Sequence, residues 1–288
     1  MSEMSVMAEG LKFPEGPISM PDGSVILVEI VGETLTRVQP DGSKEVLAHC
    51  PGGPNGAAFG PDGRVWLCNN GGSAARGFIQ AVDIQSGESE TIYTHVDGEA
   101  LSAPNDLVFD ATGGFWFSDH GTTWPRYRDH GGLYYGKADG SEVREVVYPL
   151  EAPNGVGLSP DDSRVYVAET HTGRVRAWDI TAPGELALPF GKDSRGRLIG
   201  TASGEDLLDS LAVDSADRVC VATIRTGGIT AFAQDGKAAF VPSGDRITTN
   251  ICFGGEDMRT AYLTGSRNGT LLKTTWDVPG HRLHFNPY

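Results

Sequence analysis

Along this chain, short apolar runs alternate with clusters of Asp, Gly, Pro and Ser, and helical periodicity is scarce. Short runs bounded by turn residues read as β-strands. The pattern also repeats. Residues 54–67 (PNGAAFGPDGRVWL), 104–117 (PNDLVFDATGGFWF), 153–167 (PNGVGLSPDDSRVYV) and 208–221 (LDSLAVDSADRVCV) follow one plan. A polar anchor precedes a short apolar strand, a turn rich in Asp, Gly and Pro follows, and a second strand of alternating apolar residues closes the unit. Residues 14–28 (PEGPISMPDGSVILV) and 249–263 (TNICFGGEDMRTAYL) are weaker copies. The anchors Glu15, Asn55, Asn105, Asn154, Asp209 and Asn250 are separated by 40, 50, 49, 55 and 41 residues. A period of this length, with four strands per unit, is the mark of a propeller blade.

The remainder of each unit supplies the other strands. Gly77–Ile84 and Glu90–His95 read as the third and fourth strands of one unit; Gly173–Ile180 and a stretch near Glu185–Phe190 play those parts in another. Pro21-Asp22-Gly23, Pro40-Asp41-Gly42, Pro61-Asp62-Gly63 and Asp139-Gly140 make the turns, with Gly supplying positive φ and Pro presetting its own φ. The last unit runs out after three strands, near Leu271–Trp276, while Met4–Ala8 is left over at the other end. The expectation is an all-β, single-domain, six-bladed β-propeller over residues 1–288, four antiparallel strands per blade, with the N-terminal strand as the outer strand of the sixth blade.

Composition narrows the function. The 39 Gly and 17 Pro are too dense for a helical protein. A formal charge of −15 repels phosphate backbones and anionic membrane surfaces, so neither nucleic acid nor membrane is an expected partner. No apolar run reaches the length of a membrane helix, and MSEMSVMAEG has neither the basic nor the apolar region of a secretory signal, so a cytoplasmic location is expected. Cys50, Cys68, Cys220 and Cys252 are scattered with no CxxC pair, as reduced, buried thiols would be.

The anchors carry the chemistry. First strands line the channel of a propeller, so six equivalent positions converge at one end of it. A single Asn before a turn can serve as an Asx cap. Six oxygen-bearing residues in register, two of them carboxylates, point instead to a cation site of hard oxygen donors. No Cys or His stands at an anchor, which disfavours a thiolate zinc site.

FPEGP at 13–17, PNG at 54–56, PND at 104–106, PNG at 153–155 and LDS at 208–210 resemble the regucalcin/gluconolactonase (senescence marker protein) family of six-bladed propeller lactonases. The resemblance spans nearly the whole chain. It implies one divalent cation, Ca²⁺ first, with Mg²⁺, Mn²⁺ or Zn²⁺ as alternatives, held by Glu15, Asn105, Asn154 and Asp209. It also implies that Asp209 is the catalytic base or nucleophile and that Asn105 faces substrate as well as metal. Animal regucalcins carry Arg two residues before the Asn matching Asn105; here that position is Ala103, which leaves the sugar preference open. His120, Trp124 and Tyr127 follow the second strand of the third unit, and His171 has a similar place in the fourth. His120 and Trp124 are the expected substrate contacts of the rim; surface decoration is the alternative, and Asp119 and Glu169 can serve simply to bind turn backbone. The activity so implied is a metal-dependent lactonase acting on a small, sugar-derived lactone. The alternatives are a phosphotriesterase-like hydrolase using the same ion, and a non-catalytic metal-binding propeller.

Overall fold

In a computed structural model the described residues are 4–72 and 76–288. Five units of the repeat each form one antiparallel four-stranded sheet, and the fourth forms a five-stranded one. From the inside outward, blade one is Pro14–Ser19, Val25–Glu29, Thr34–Val38 and Lys44–His49. Blade two is Pro54–Phe59, Val65–Asn69, Phe78–Val82 and Ser89–Tyr93. Blade three is Pro104–Phe109, Gly114–Asp119, Gly131–Lys137 and Val143–Leu150. Blade five is Leu207–Val213, Val219–Ile224, Gly228–Phe232 and Ala238–Pro242. The inner strands touch in cyclic order, the sixth meeting the first.

Blade six closes the ring as expected. Thr248–Gly254, Thr260–Gly265 and Thr270–Thr275 are joined by Ser5–Ala8, with Ser5 opposite Lys273 and Val6 opposite Leu272. Blade four departs from expectation. Behind Pro153–Leu158 and Arg164–Glu169 runs a long third strand, Arg174–Ala182. Glu185–Leu186 pairs only with its overhanging end, and Arg197–Thr201 takes the outer position beside Arg174–Ala177. The intervening excursion is tied down by Trp178 Nε1 donating to the Ser194 carbonyl at 2.8 Å and Arg176 Nη1 donating to the Arg195 carbonyl at 2.9 Å.

A repeated turn and a repeated interface explain why this sequence folds this way. In all six first hairpins an Asp carboxylate accepts the backbone N–H two residues on: Asp22 from Ser24, Asp62 from Arg64, Asp110 from Thr112, Asp161 from Ser163, Asp214 from Ala216 and Asp257 from Arg259. The side chain thereby completes an Asx-turn. The apolar residues form six clusters, each lying between neighbouring blades. Ile18, Ile26 and Leu35 of blade one, for example, meet Phe59, Val65 and Leu67 of blade two. Blade faces are thus covered on both sides, and second strands such as Val25–Glu29 are buried at every position rather than alternately. The four cysteines are free, with only Cys252 short of full burial, and burial raises each thiol pKa.

Residues 277–288 cross the far end of the channel and reach every blade. His281 N–H donates to the Val213 carbonyl at 2.9 Å, and Arg282 Nη2 to the Glu256 carbonyl at 2.9 Å. His284 Nε2 meets Asp162 at 2.7 Å, and Phe285 stands edge-on to Phe109 with ring centroids 6.0 Å apart. Asn286 Oδ1 accepts the Phe59 N–H at 3.0 Å, and the Tyr288 hydroxyl donates to the Pro21 carbonyl at 3.2 Å. A cavity of about 70 Å³ is left on the axis, lined by inner-strand residues and by His281, Leu283, Asn286 and Tyr288 of this segment.

If the N-terminal strand closes the ring, removing residues 2–9 uncovers Leu271 and Leu272. The expected cost is about 2 kcal/mol of burial, or a fall in Tm of roughly 4–8 °C. Hydrogen exchange checks the cause: amide protection should fall first in Thr270–Thr275, and unchanged protection there would mean that the strand is not needed for closure.

Candidate metal and catalytic site

Each inner strand breaks its pairing register at its anchor. The shifts fall between Glu15 and Ile18, Pro54 and Ala57, Pro104 and Leu107, Pro153 and Val156, Leu208 and Leu211, and Thr248 and Asn250. Such bulges re-aim a side chain. The anchors are therefore the second or third residues of the inner strands, within them rather than just before them. All six are buried.

Close backbone approach makes room for this. A Cβ on Gly16 would lie 2.5 Å from the Asn55 carbonyl oxygen, one on Gly56 would lie 2.6 Å from Asp106 Cα, and one on Gly155 would lie 2.5 Å from the Leu211 nitrogen. Each of these glycines follows its anchor and touches the inner strand of the next blade. No larger residue fits there without moving backbone.

The loops leading into the anchors are held by acids at the ends of second strands. Glu29 accepts the Lys12 N–H at 2.6 Å, Asp119 the Ser102 and Ala103 N–H groups at 2.7 Å each, and Glu169 the Glu151 N–H at 3.0 Å. Asp119 and Glu169 are thus backbone clamps, and Glu169 also meets Arg176 Nε at 2.8 Å.

Glu15 and Asp209 are not committed in this way. Glu15 accepts from Asn250 Nδ2 at 3.0 Å and from its neighbour Gly16 N–H at 3.1 Å. Burial still pushes its pKa up to about 7. Asp209 is raised well above the carboxylate range, first by burial and then by the Glu15 charge, with a hydrogen bond from Asn154 opposing. A third carboxyl, outside the six anchors, is linked to them by charge. Asp106 is raised to about 7 by burial and by Glu15, although it accepts the Leu107 N–H at 2.9 Å and the Val156 N–H at 3.4 Å. The signal for it was present: among the PN-type copies, only PND puts an acid where the others have Gly.

Three mutually repelling buried carboxyls are the electrostatic condition that a cation relieves. The amides agree. Asn55 Oδ1 and Asn105 Oδ1 are buried with no hydrogen-bond partner among the described residues, an expensive state for a carbonyl oxygen. Asn154 Oδ1 has only a 3.4 Å contact from Ser210 Oγ. Asn250 differs: its Oδ1 accepts the Ile251 N–H at 2.8 Å and its Nδ2 serves Glu15, so it positions Glu15 and has no oxygen to spare. Among the described residues no three His, Cys, Asp or Glu side chains stand together as a metal cluster. A donor set of two carboxylates and neutral amide oxygens does not require one, and it suits a hard cation.

The expected rim residues lie at the same end of the channel. His120 N–H bonds to the Ala103 carbonyl at 2.9 Å, placing it beside the run into Asn105, and Thr170, next to His171, bonds likewise to Ala152 before Asn154. The rings of His120 and His171 are 5.8 Å apart. Burial holds His120 neutral, with a pKa of about 4. Trp124 is partly exposed, stacks on Tyr127 with centroids 5.8 Å apart, and donates Nε1–H to Asp129 at 3.1 Å.

Residues 13–267 match the family model described as the SMP-30/Gluconolactonase/LRE-like region. The chain is 30% identical over 237 residues to lactonase drp35 of Staphylococcus haemolyticus, covering 81% of this chain and 70% of that one. It is 25% identical to a gluconolactonase of Zymomonas mobilis, covering 94% and 81%. Among solved structures, a gluconolactonase of Xanthomonas campestris superimposes with a TM-score of 0.78 at 22% identity, covering 96% and 89%. A calcium-binding regucalcin of Agrobacterium tumefaciens does so with 0.71 at 17%, covering 96% and 97%. These two similarities establish the fold.

The repulsion among the carboxyls has a measurable sign. Glu15 has a folded pKa near 7 against an ordinary 4.5, so the metal-free folded state holds more protons in that window, and stability falls as pH rises through it. Glu15→Gln should flatten this fall and leave Tm in EDTA at pH 7 equal to or above that of the unsubstituted protein. Ca²⁺ at about a hundred times Kd should stabilise the unsubstituted protein by about 2.7 kcal/mol and the variant far less. Equal Ca²⁺ stabilisation of both would remove Glu15 from the ligand set.

Proposed function

The chain belongs to the SMP-30/Gluconolactonase/LRE-like family, and from that membership we propose that it is a divalent-metal-dependent lactonase opening a small, sugar-derived or related lactone to its hydroxy acid. One observation carries the reading: two buried carboxylates, Glu15 and Asp209, share the channel mouth with buried amide oxygens that have no partner among the described residues. Glu15, Asn105, Asn154 and Asp209 would hold the ion, Ca²⁺ being the first choice. Asn55, with its unpartnered oxygen, has the same claim to a place as Asn105.

A bound divalent ion would supply Lewis-acid polarisation of the lactone carbonyl. The chain's own part is proton transfer and placement. Asp209 accepts the proton of the attacking water as oxygen bonds to the carbonyl carbon. The ring C–O bond then breaks, and the departing ring oxygen takes up that proton. Burial and the Glu15 charge raise the proton affinity of Asp209 in the metal-free site; a bound cation would offset both, leaving Asp209 ionised and a modest base. Asn154, bonded to Asp209, fixes its orientation. Asn250 does the same for Glu15 from the other side. A lactone is an activated ester, so a modest base suffices.

A panel of aldonolactones followed by acid release, with and without EDTA, tests the activity. Turnover that disappears with EDTA and returns with Ca²⁺ is the expected result; hydrolysis of phosphotriesters but of no lactone would replace this reading with the phosphotriesterase one. Asp209→Asn keeps size and one oxygen but cannot take the proton, so kcat should fall about 10²–10⁴-fold at saturating metal with the fold intact by circular dichroism. A variant whose full activity returns on adding metal would reduce Asp209 to a ligand.

A further inference from the structure

The loop over the channel mouth holds a cation that the proposed chemistry does not use. Arg128 Nη2 donates to the His120 carbonyl at 3.0 Å and lies 3.4 Å from His120 Nδ1. Its Nε and Nη1 are buried and have no hydrogen-bond partner among the described residues. No carboxylate comes within 4.0 Å of it among the described residues. Its two acidic neighbours are engaged elsewhere: Asp129 accepts from Trp124 Nε1 at 3.1 Å, and Glu151 faces His130 Nδ1 at 3.4 Å. Their charges reach Arg128 only through space, and burial outweighs them in pulling its pKa down. A guanidinium is normally buried only with its donors satisfied, because desolvating unpaired N–H groups on a charged group is costly. The partner that planar guanidinium best fits is an oxyanion.

We propose that Arg128, backed by the His120–His171 pair, forms a subsite at the channel mouth for an oxyanion carried by the substrate, a carboxylate or phosphate remote from the lactone carbonyl. This rests on the lactonase reading and narrows it to acidic lactones. Placement supports it. Arg128 binds the carbonyl of His120, whose N–H binds Ala103, two residues before Asn105, so the guanidinium stands one strand outward from the anchors. His171 stands beside His120, its ring centroid 5.8 Å away, and feels the Arg128 charge. Both imidazoles are pushed toward the neutral form by burial and by Arg128 itself, so they add donors without adding charge. On a chain of net charge −15, with carboxylates at the anchors, an anionic substrate approaches this mouth only where a local cation offsets the field.

The test compares neutral glucono-1,5-lactone with glucaro-1,4-lactone, which adds a carboxylate, and 6-phosphogluconolactone, which adds a phosphate, using the Ca²⁺-loaded protein. The unsubstituted enzyme should prefer one of the acidic lactones, and which one identifies the oxyanion. Arg128→Met should lower kcat/KM on that lactone about 10–100-fold, mainly through KM, and change the neutral lactone less than about threefold; Arg128→Lys should recover part of the loss. Calorimetry with gluconate, glucarate and 6-phosphogluconate reads the subsite without turnover, and Arg128→Met should weaken only the two ligands with a second anionic group, by a similar factor. Equal losses on neutral and acidic ligands, or no preference of the unsubstituted protein for an acidic ligand in calorimetry, would overturn the proposal. If no lactone is hydrolysed, the lactonase reading fails, and calorimetry still decides whether Arg128 binds an oxyanion.

Discussion

Everything at the channel mouth depends on six inner strands approaching one another backbone to backbone. Gly16, Gly56 and Gly155 sit where a single methyl group would strike the next blade. With no side chain between them, the strands come near enough for each bulge to throw its anchor inward. The six interblade clusters supply the attraction that holds the ring at this diameter. That attraction opposes the repulsion among Glu15, Asp106 and Asp209, which an open sheet would relieve by spreading. Ring closure by Ser5–Ala8 is therefore part of the site's electrostatics as well as its architecture.

Acidic residues divide into two populations with different physical work. Six hairpin aspartates and the strand-end acids Glu29, Asp119 and Glu169 spend their oxygens on backbone N–H groups. Asp161, with hydrogen bonds from Ser159 and Ser163, titrates far below the ordinary carboxylate range. Glu15 and Asp209 have few such donors and are pushed the other way. The clamps make the contrast possible, because they fix the loops from which the anchors emerge. Asp119 sits between the two groups: three N–H donors lower its pKa, yet burial still leaves it raised.

Much of this was legible in the sequence because the repeat multiplies weak signals. One Asn before a turn says little; six oxygen-bearing anchors at similar spacing mark the buried inner-strand positions at the channel mouth. The bulges are not legible, since register is a relation between strands, and so the sequence alone sets the anchors before their strands instead of within them. Asp106 was hidden by the same averaging that revealed Asn105: a template built from PNG copies makes the third position look structural. The outer strand of blade four is Arg197–Thr201 and not the expected stretch near Glu185–Phe190, because Arg174–Ala182 overhangs its neighbours and pairs with two segments, the nearer of which is the minor one. Arg128 lies in an insertion of one blade, where no repeat exists to weigh it.

The segment that bridges all six blades at the far end makes the channel a blind well. A chain has no open route through the ring past the anchors, so anything that reaches them enters and leaves by the same mouth. Entry and exit are then coupled, and a feature of the rim that eases the one will, by the same contacts, slow the other.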